Sequence, residues 1–263
     1  MGWGPVTFSK MRAMTMDENR RLKKARQLSL SGLAVVALLS LALAISLSGC
    51  TNVATYTQPT LVRVIDASYA APAINVYVEG SQLAGNIGQG TITPYGTLTA
   101  NTAAAIKVTG ATSTTVLLST SGTLLAGHQH SVFLTDDSTA ASGYAVTVLE
   151  DQQVAAAGGH SAFRFLNQAT KTGAVDVYMI PADSTLAKSI PLVTALPVGT
   201  TASYISFTSQ TVTMVITPTG TITPKYTSTP IALTGGEVRT VLLVNAQLTS
   251  DPPVDVYIGN DVN

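Results

Sequence analysis

The sequence predicts an all-β protein built from two tandem immunoglobulin-like antiparallel β-sandwiches behind a secretory leader. Three observations carry that expectation. A strand pattern occurs twice: Leu61-Val62-Arg63-Val64-Ile65-Asp66 with Ile74-Asn75-Val76-Tyr77-Val78 returns 101 residues later as Ala162-Phe163-Arg164-Phe165-Leu166-Asn167 with Val175-Asp176-Val177-Tyr178-Met179. Within each copy apolar and polar residues alternate, the period of a half-buried strand. After residue 50 no apolar stripe of period 3.6 is sustained, so almost no helix is expected.

The leader comes first. Arg20, Arg21, Lys23, Lys24 and Arg26 precede an uncharged apolar run from Leu33 to Leu47, the charge-then-apolar order of a secretory signal. At 15 residues the run is short of the roughly 20 that a membrane-spanning helix needs, and Ser48-Gly49-Cys50 interrupts it. The stretch Leu47-Ser48-Gly49-Cys50 resembles the lipobox of bacterial lipoproteins. That resemblance implies cleavage before Cys50, lipid on its sulfur, and a membrane anchor; Thr51 in place of Asp implies outer-membrane rather than inner-membrane delivery in a two-membrane envelope. The leader is long for its class, and translation from Met11, Met14 or Met16 instead of Met1 would shorten it.

Removing residues 1–49 leaves 214 residues with 7 Lys/Arg against 12 Asp/Glu. That acidic balance argues against a nucleic-acid partner, which calls for clustered positive charge. Cys50 is the single cysteine, so no disulfide is available and the fold rests on core packing. The expected layout is leader 1–49, tether 50–59, first sandwich 60–151, linker 152–160 and second sandwich 161–263. In the first copy further strands are expected at 105–108, 115–118, 131–135 and 144–149. In the second they are expected at 204–207, 212–216, 231–233, 238–244 and 254–258. Gly90-Thr91 and Tyr95 recur as Gly199-Thr200 and Tyr204. About seven short strands in about 95 residues is the cue for such a sandwich. Each half has enough apolar positions to form its own core, so each is expected to fold alone.

The segments Arg63-Val64-Ile65-Asp66-Ala67-Ser68 and Ala71-Pro72-Ala73-Ile74-Asn75-Val76-Tyr77-Val78-Glu79-Gly80 resemble the signature of the bacterial domain of unknown function 4397. The resemblance extends over residues 61–259. It implies a β-sandwich, often duplicated and secreted or lipid-anchored, and it implies no activity. The family's usual Ser-Pro-Asp-Ala-Pro turn is here Ser68-Tyr69-Ala70-Ala71-Pro72, so its Pro and Asp are missing.

Few residues offer chemistry. Arg63 and Arg164 lie inside apolar strands and call for a carboxylate partner if buried. Tyr77 and Tyr178, with Asn75 and Asp176, fall on the strand face opposite the valines and form the candidate binding surface. The competing role for these Asx residues, and for the Asp66/Asn167 pair, is to hold turns. His128 and His130 would share a strand face and could join Asp136 or Asp137 around a metal, giving the alternative of a metal-dependent or hydrolytic envelope enzyme. No nucleophile elbow or phosphate loop is present. The preferred reading is a non-enzymatic, lipid-anchored envelope protein that needs no cofactor and meets an envelope protein or polysaccharide.

Overall fold

The computed structural model describes residues 58–201, 203–248 and 253–262. The leader, the lipobox with Cys50, and the tether as far as Thr57 lie outside them. The first half supplies β1 (Thr60–Asp66), β2 (Ile74–Val78), β3 (Ser81–Ile87), β4 (Gly96–Leu98), β5 (Asn101–Gly110), β6 (Val116–Leu124), β7 (Gln129–Asp136) and β8 (Tyr144–Asp151). They form two sheets, β4-β1-β7-β8 and β3-β2-β5-β6. The second half supplies β9 (His160–Gln168), β10 (Val175–Pro181), β11 (Val193–Leu196), β12 (Thr200–Thr201), β13 (Ile205–Thr208), β14 (Thr211–Pro218), β15 (Tyr226–Thr227), β16 (Ile231–Ala232), β17 (Val238–Asn245) and β18 (Val254–Asn260). These make the sheets β12-β9-β17-β18, with β13 also on β9, and β11-β10-β14-β15, with β16 also on β14. One 3-10 turn, Leu186–Lys188, is the helical element among the described residues.

Two all-β sandwiches are therefore present, with one correction to the expected pairing. The first strand of each half runs parallel to a late strand: β1 to β7 and β9 to β17. The other strand pairs are antiparallel. A parallel pair needs a long crossover, and here the connection passes through the strands of the opposite sheet. His160, expected in the linker, opens β9 opposite Thr208. The last strand, β18, stays with its own half by pairing β17.

Each sandwich has its own core. Val62, Val64, Val76, Ile106 and Val132 meet in the first, and Phe163, Phe165, Val177, Met214 and Val241 in the second. Val76 and Val177 point inward as the alternation requires, so the register is as expected. A third cluster belongs to both halves: Ile65, Ala67 and Phe133 from the first pack with Leu166, Leu242 and Val244 from the second. The strands β1, β7, β9 and β17 are consequently buried on both faces, and consecutive apolar residues break their alternation, as in Val64-Ile65, Val132-Phe133-Leu134, Phe165-Leu166 and Val241-Leu242-Leu243-Val244. Both sandwiches fall within one compact unit.

The Asx residues hold the sheet edges. Asn86 and Ala195 have positive φ, 51° and 52°, at bulges of the irregular edge strands β3 and β11. Asn75 Oδ1 accepts the Asn86 N–H at 2.9 Å, and Asp176 Oδ1 accepts the Ala195 N–H at 2.7 Å. On the other side Asn75 Nδ2 reaches the carbonyls of Gly110 and Ala111, whereas Asp176 Oδ2 accepts the Gly220 N–H. The exchange of amide for carboxylate matches a donor on the partner loop in place of an acceptor.

Asp66 is fully buried. Its Oδ1 accepts the Ser68 N–H, as Asn167 Oδ1 accepts that of Ala169, but Asp66 Oδ2 has no partner. The amide at Asn167 donates to Gly173 and Leu196 carbonyls there. Burial first, then the nearby Asp136 charge, pushes the Asp66 carboxyl up to about 7. The fold therefore binds a proton that the unfolded chain releases, and stability falls as pH rises from about 4 toward about 7. Asp66→Asn is expected to remove that slope and to stabilise the chain at pH 8 by on the order of 1–3 kcal/mol. Urea midpoints at pH 4.5 and pH 8 check it; a variant with the wild-type slope would reassign the slope to another group.

Candidate functional site

Between the sandwiches lies a buried, charge-balanced network. Arg63, 1% exposed, crosses from β1 to the end of the second sandwich: Nη2 donates to Asp261 Oδ1 at 2.6 Å and Nη1 to the Asn260 carbonyl at 3.0 Å. Arg164 crosses the opposite way from β9, donating to Asp151 Oδ1 and to the Glu150 carbonyl. Each aspartate is also held by its own sandwich. Asp151 accepts from Tyr95 and Ser131, both at 2.7 Å, and Asp261 from Tyr204 and from Thr240 at 2.6 Å. The rings of Tyr95 and Tyr204 lie 4.8 and 4.9 Å from the guanidinium carbons of Arg63 and Arg164. Thr240 Oγ1 accepts from both arginines while donating to Asp261. Two cations thus face two anions in a reciprocal exchange.

The electrostatics follow from that geometry. Burial alone would pull the Arg63 guanidinium down, but Asp261 and then Asp151 raise it above its ordinary value. Burial drives the Tyr95 and Tyr204 phenols far up, so both remain neutral donors. These groups are spent on one another. The arginines expected to need a carboxylate have found one, each on the other sandwich.

Beside this network opens a crevice of about 560 Å³. The first sandwich contributes Phe133, Thr135, Thr147 and Leu149 from the outer faces of β7 and β8, with Asp136 and Asp137 at the strand end; the second contributes Gln168, Gly199 and Thr201. Asp136 accepts from Ser68 Oγ and from the Tyr69 and Ala70 N–H groups, which secures the loop after β1. Asp137 accepts from the Thr139 hydroxyl and N–H, and those bonds hold its carboxyl below the usual range. Neither histidine nor cysteine is among the lining residues.

The expected site residues are not brought together. Tyr77 is half-buried on the outer face of the first sandwich, with Lys107 Nζ 4.8 Å from its ring centroid. Tyr178 is 6% exposed, packed with Ile180, Val215 and Leu186 on the second, and Asp176 is 3% exposed. With Asn75 and Asp176 committed to edge-strand bulges, the four are dispersed structural side chains and not one surface. The metal alternative meets a geometric obstacle. His130 and Asp136 are six residues apart along β7, roughly 20 Å at about 3.3 Å per residue. His130 is also engaged: the Leu125 N–H donates to Nε2, which leaves Nδ1–H to donate to Thr60 Oγ1. Burial pulls that imidazole below its ordinary range. His128 pairs with Glu150 at 2.7 Å in solvent. No group of three metal-ligating side chains occurs among the described residues.

The first half of the chain has a counterpart among known families. Residues 60–178 match the model of the Domain of unknown function (DUF4397). The DUF4397 match runs from β1 through the linker to Tyr178 in β10, so it contains Arg63, Tyr95, Asp151 and Arg164 but not Tyr204 or Asp261. No curated protein matches the chain. Among solved structures, the crystal structure of CBMbc (family CBM26) from Eubacterium rectale Amy13K in complex with maltoheptaose shares 10% identity with a TM-score of 0.23, over 76% of this chain and 96% of that one. A superposition that loose carries nothing about what this chain binds.

Proposed function

We propose that the protein is a non-catalytic binding module of the cell envelope, tethered by lipid on Cys50, whose rigid pair of sandwiches presents the crevice to a surface partner. The observation that carries the reading is the division of its polar chemistry. The arginines, their aspartates and the tyrosines beside them are consumed in a buried network, whereas the crevice displays hydroxyls, carboxylates and apolar side chains to solvent. Its position supports the same reading. The described chain enters at Thr60, and the crevice lies toward the Asp66 end of the strand, roughly 20 Å away. That is where a membrane-tethered module would meet a partner. No helix among the described residues is long and apolar enough to cross a membrane, and the proposed anchor is the lipid, which in such systems needs two or more acyl chains for stable attachment. Delivery to the outer membrane, and a glycan or an envelope protein as partner, belong to the same proposal.

Two measurements test it. Metabolic labelling with a fatty-acid analogue is expected to mark the wild type and not Cys50→Ala; label on the variant would move the anchor elsewhere. The lipid-free chain from residue 51 is expected to cosediment with washed envelopes of the same cells. Failure to sediment would overturn the binding reading whatever the labelling shows.

A further inference from the structure

The layer shared by the sandwiches has two flanks built from matching positions, and one of them is already filled. Backbone bonds set the correspondence. The Gly90 N–H donates to the Asp66 carbonyl as the Gly199 N–H donates to that of Asn167. Ile92 bridges Ile65 as Thr201 pairs with Leu166. Tyr257 stands opposite Leu242 as Thr147 stands opposite Phe133. On the filled flank the Tyr257 ring lies on Gly90, where an added Cβ would come within 2.3 Å of the ring. On the open flank a Cβ on Gly199 would meet nothing within 4 Å. The space that a tyrosine occupies on one side is the crevice on the other.

The difference extends past that one side chain. Ala67, Ile92 and Val244 on the filled flank correspond to Gln168, Thr201 and Thr135 on the open one. A flank that had merely lost its ring would keep apolar walls. Here three wall positions are polar beside the apolar Phe133, Ala145 and Leu149, and polar groups around a half-enclosed, partly apolar space suit an occupant that both stacks and hydrogen-bonds there. Asp136 and Asp137 stand at the lip, and no lysine or arginine lines the crevice.

We propose that the crevice binds an aromatic ring that carries a hydroxyl and sits beside a positive charge, the chemistry of a tyrosine flanked by lysine or arginine on a partner protein. The ring takes the place over Gly199 that Tyr257 takes over Gly90. Thr135, Thr147, Thr201 and Gln168 supply hydrogen-bonding groups for the phenol, and the two carboxylates attract the cation. This rests on the binding-module reading and names its partner's chemistry.

The probe is tyramine, a phenol with an ammonium group, titrated into the lipid-free chain from residue 51 and followed by backbone-amide NMR. The expected result is one saturable site that moves the Gly199 and Thr147 amides, with 4-hydroxyphenylacetate about fivefold weaker at low salt because its charge has the wrong sign. Thr147→Tyr fills the crevice from within and is expected to abolish binding. Tyr257→Thr opens the other flank, whose walls are apolar and carry no carboxylates, and is expected to leave the stoichiometry at one. Circular dichroism confirms that the variants are folded; should Tyr257→Thr fail to fold, Thr147→Tyr alone decides. Absence of tyramine binding, its survival in Thr147→Tyr, or displacement of the same amides by a neutral oligosaccharide would each overturn the proposal. If envelope binding persists while tyramine fails, this inference falls and the binding-module reading stands.

Discussion

Arg63→Met is expected to destabilise the chain by about 3–5 kcal/mol, the usual cost of leaving one partner of a buried ion pair uncompensated. The methionine fills much of the arginine's volume, so the loss reads charge and hydrogen bonding more than a cavity. Asp261 loses its 2.6 Å donor, and Ser131, Thr240 and the Asn260 carbonyl each lose one bond. Arg164 cannot serve both aspartates, since its charge is committed to Asp151. Urea unfolding followed by circular dichroism measures the effect, with exposed Lys188→Met as the control near zero. The double variant Arg63→Met with Asp261→Leu restores the charge balance and is expected to recover at least half of the loss. Independent, additive losses would show that the two residues are not coupled. Because a well-packed apolar replacement can match a buried ion pair, the network's contribution is expected to lie less in total stability than in fixing how the sandwiches meet. A wrong docking would strand four buried charges.

How much of this was legible before the structure differs from residue to residue. The register of Val76 and Val177 was written in the two-residue alternation, because one face of β2 and β10 meets the core and the other does not. The doubled burial of β1, β7, β9 and β17 was visible only in short breaks of the alternation such as Val132-Phe133-Leu134 and Phe165-Leu166. Its meaning was not, because such a break says that both faces are covered without saying by what. Arg63 and Arg164 announced a need for carboxylates, but Asp151 and Asp261 stand at strand ends 88 and 198 residues away from Arg63, and their reciprocal crossing is a property of docking rather than of spacing. The irregular edge strands β3 and β11 were missed because polar side chains and positive-φ bulges disguise them. Their presence was implied only by Asn75 and Asp176, which had two plausible roles. The crevice had no signal in either copy alone. It is a difference between copies, legible only once Thr147 is set against Tyr257 and Gly199 against Gly90.

The two halves expressed apart, as 58–152 and 160–263, are expected each to unfold cooperatively but at clearly lower denaturant concentration than the intact chain, and to recover on mixing. Each half keeps a complete core of its own. Each also keeps one arginine and one aspartate of the network, so neither is left with a net buried charge; Arg63 Nε already lies 3.6 Å from Asp151 of its own sandwich. What separation exposes is the shared layer. The first half uncovers Ile65 and Phe133, the second Leu166, Leu242 and Val244, at about 1.5–3 kcal/mol for each large apolar side chain fully exposed. Those losses are several times the worth of a surface contact, yet short of the whole core. The exposed face is complementary to the face from which it was cut, carries matching donors and acceptors, and in the intact chain is held to it by an eight-residue linker, Gln152 to Gly159. Removing the linker replaces an intramolecular contact by a bimolecular one, so the mixed halves should associate with an affinity that depends on concentration and weakens when Arg63 is replaced. Sedimentation of the equimolar mixture checks this. Halves as stable as the intact chain, or halves that ignore each other, would show that the buried layer contributes contact without cohesion.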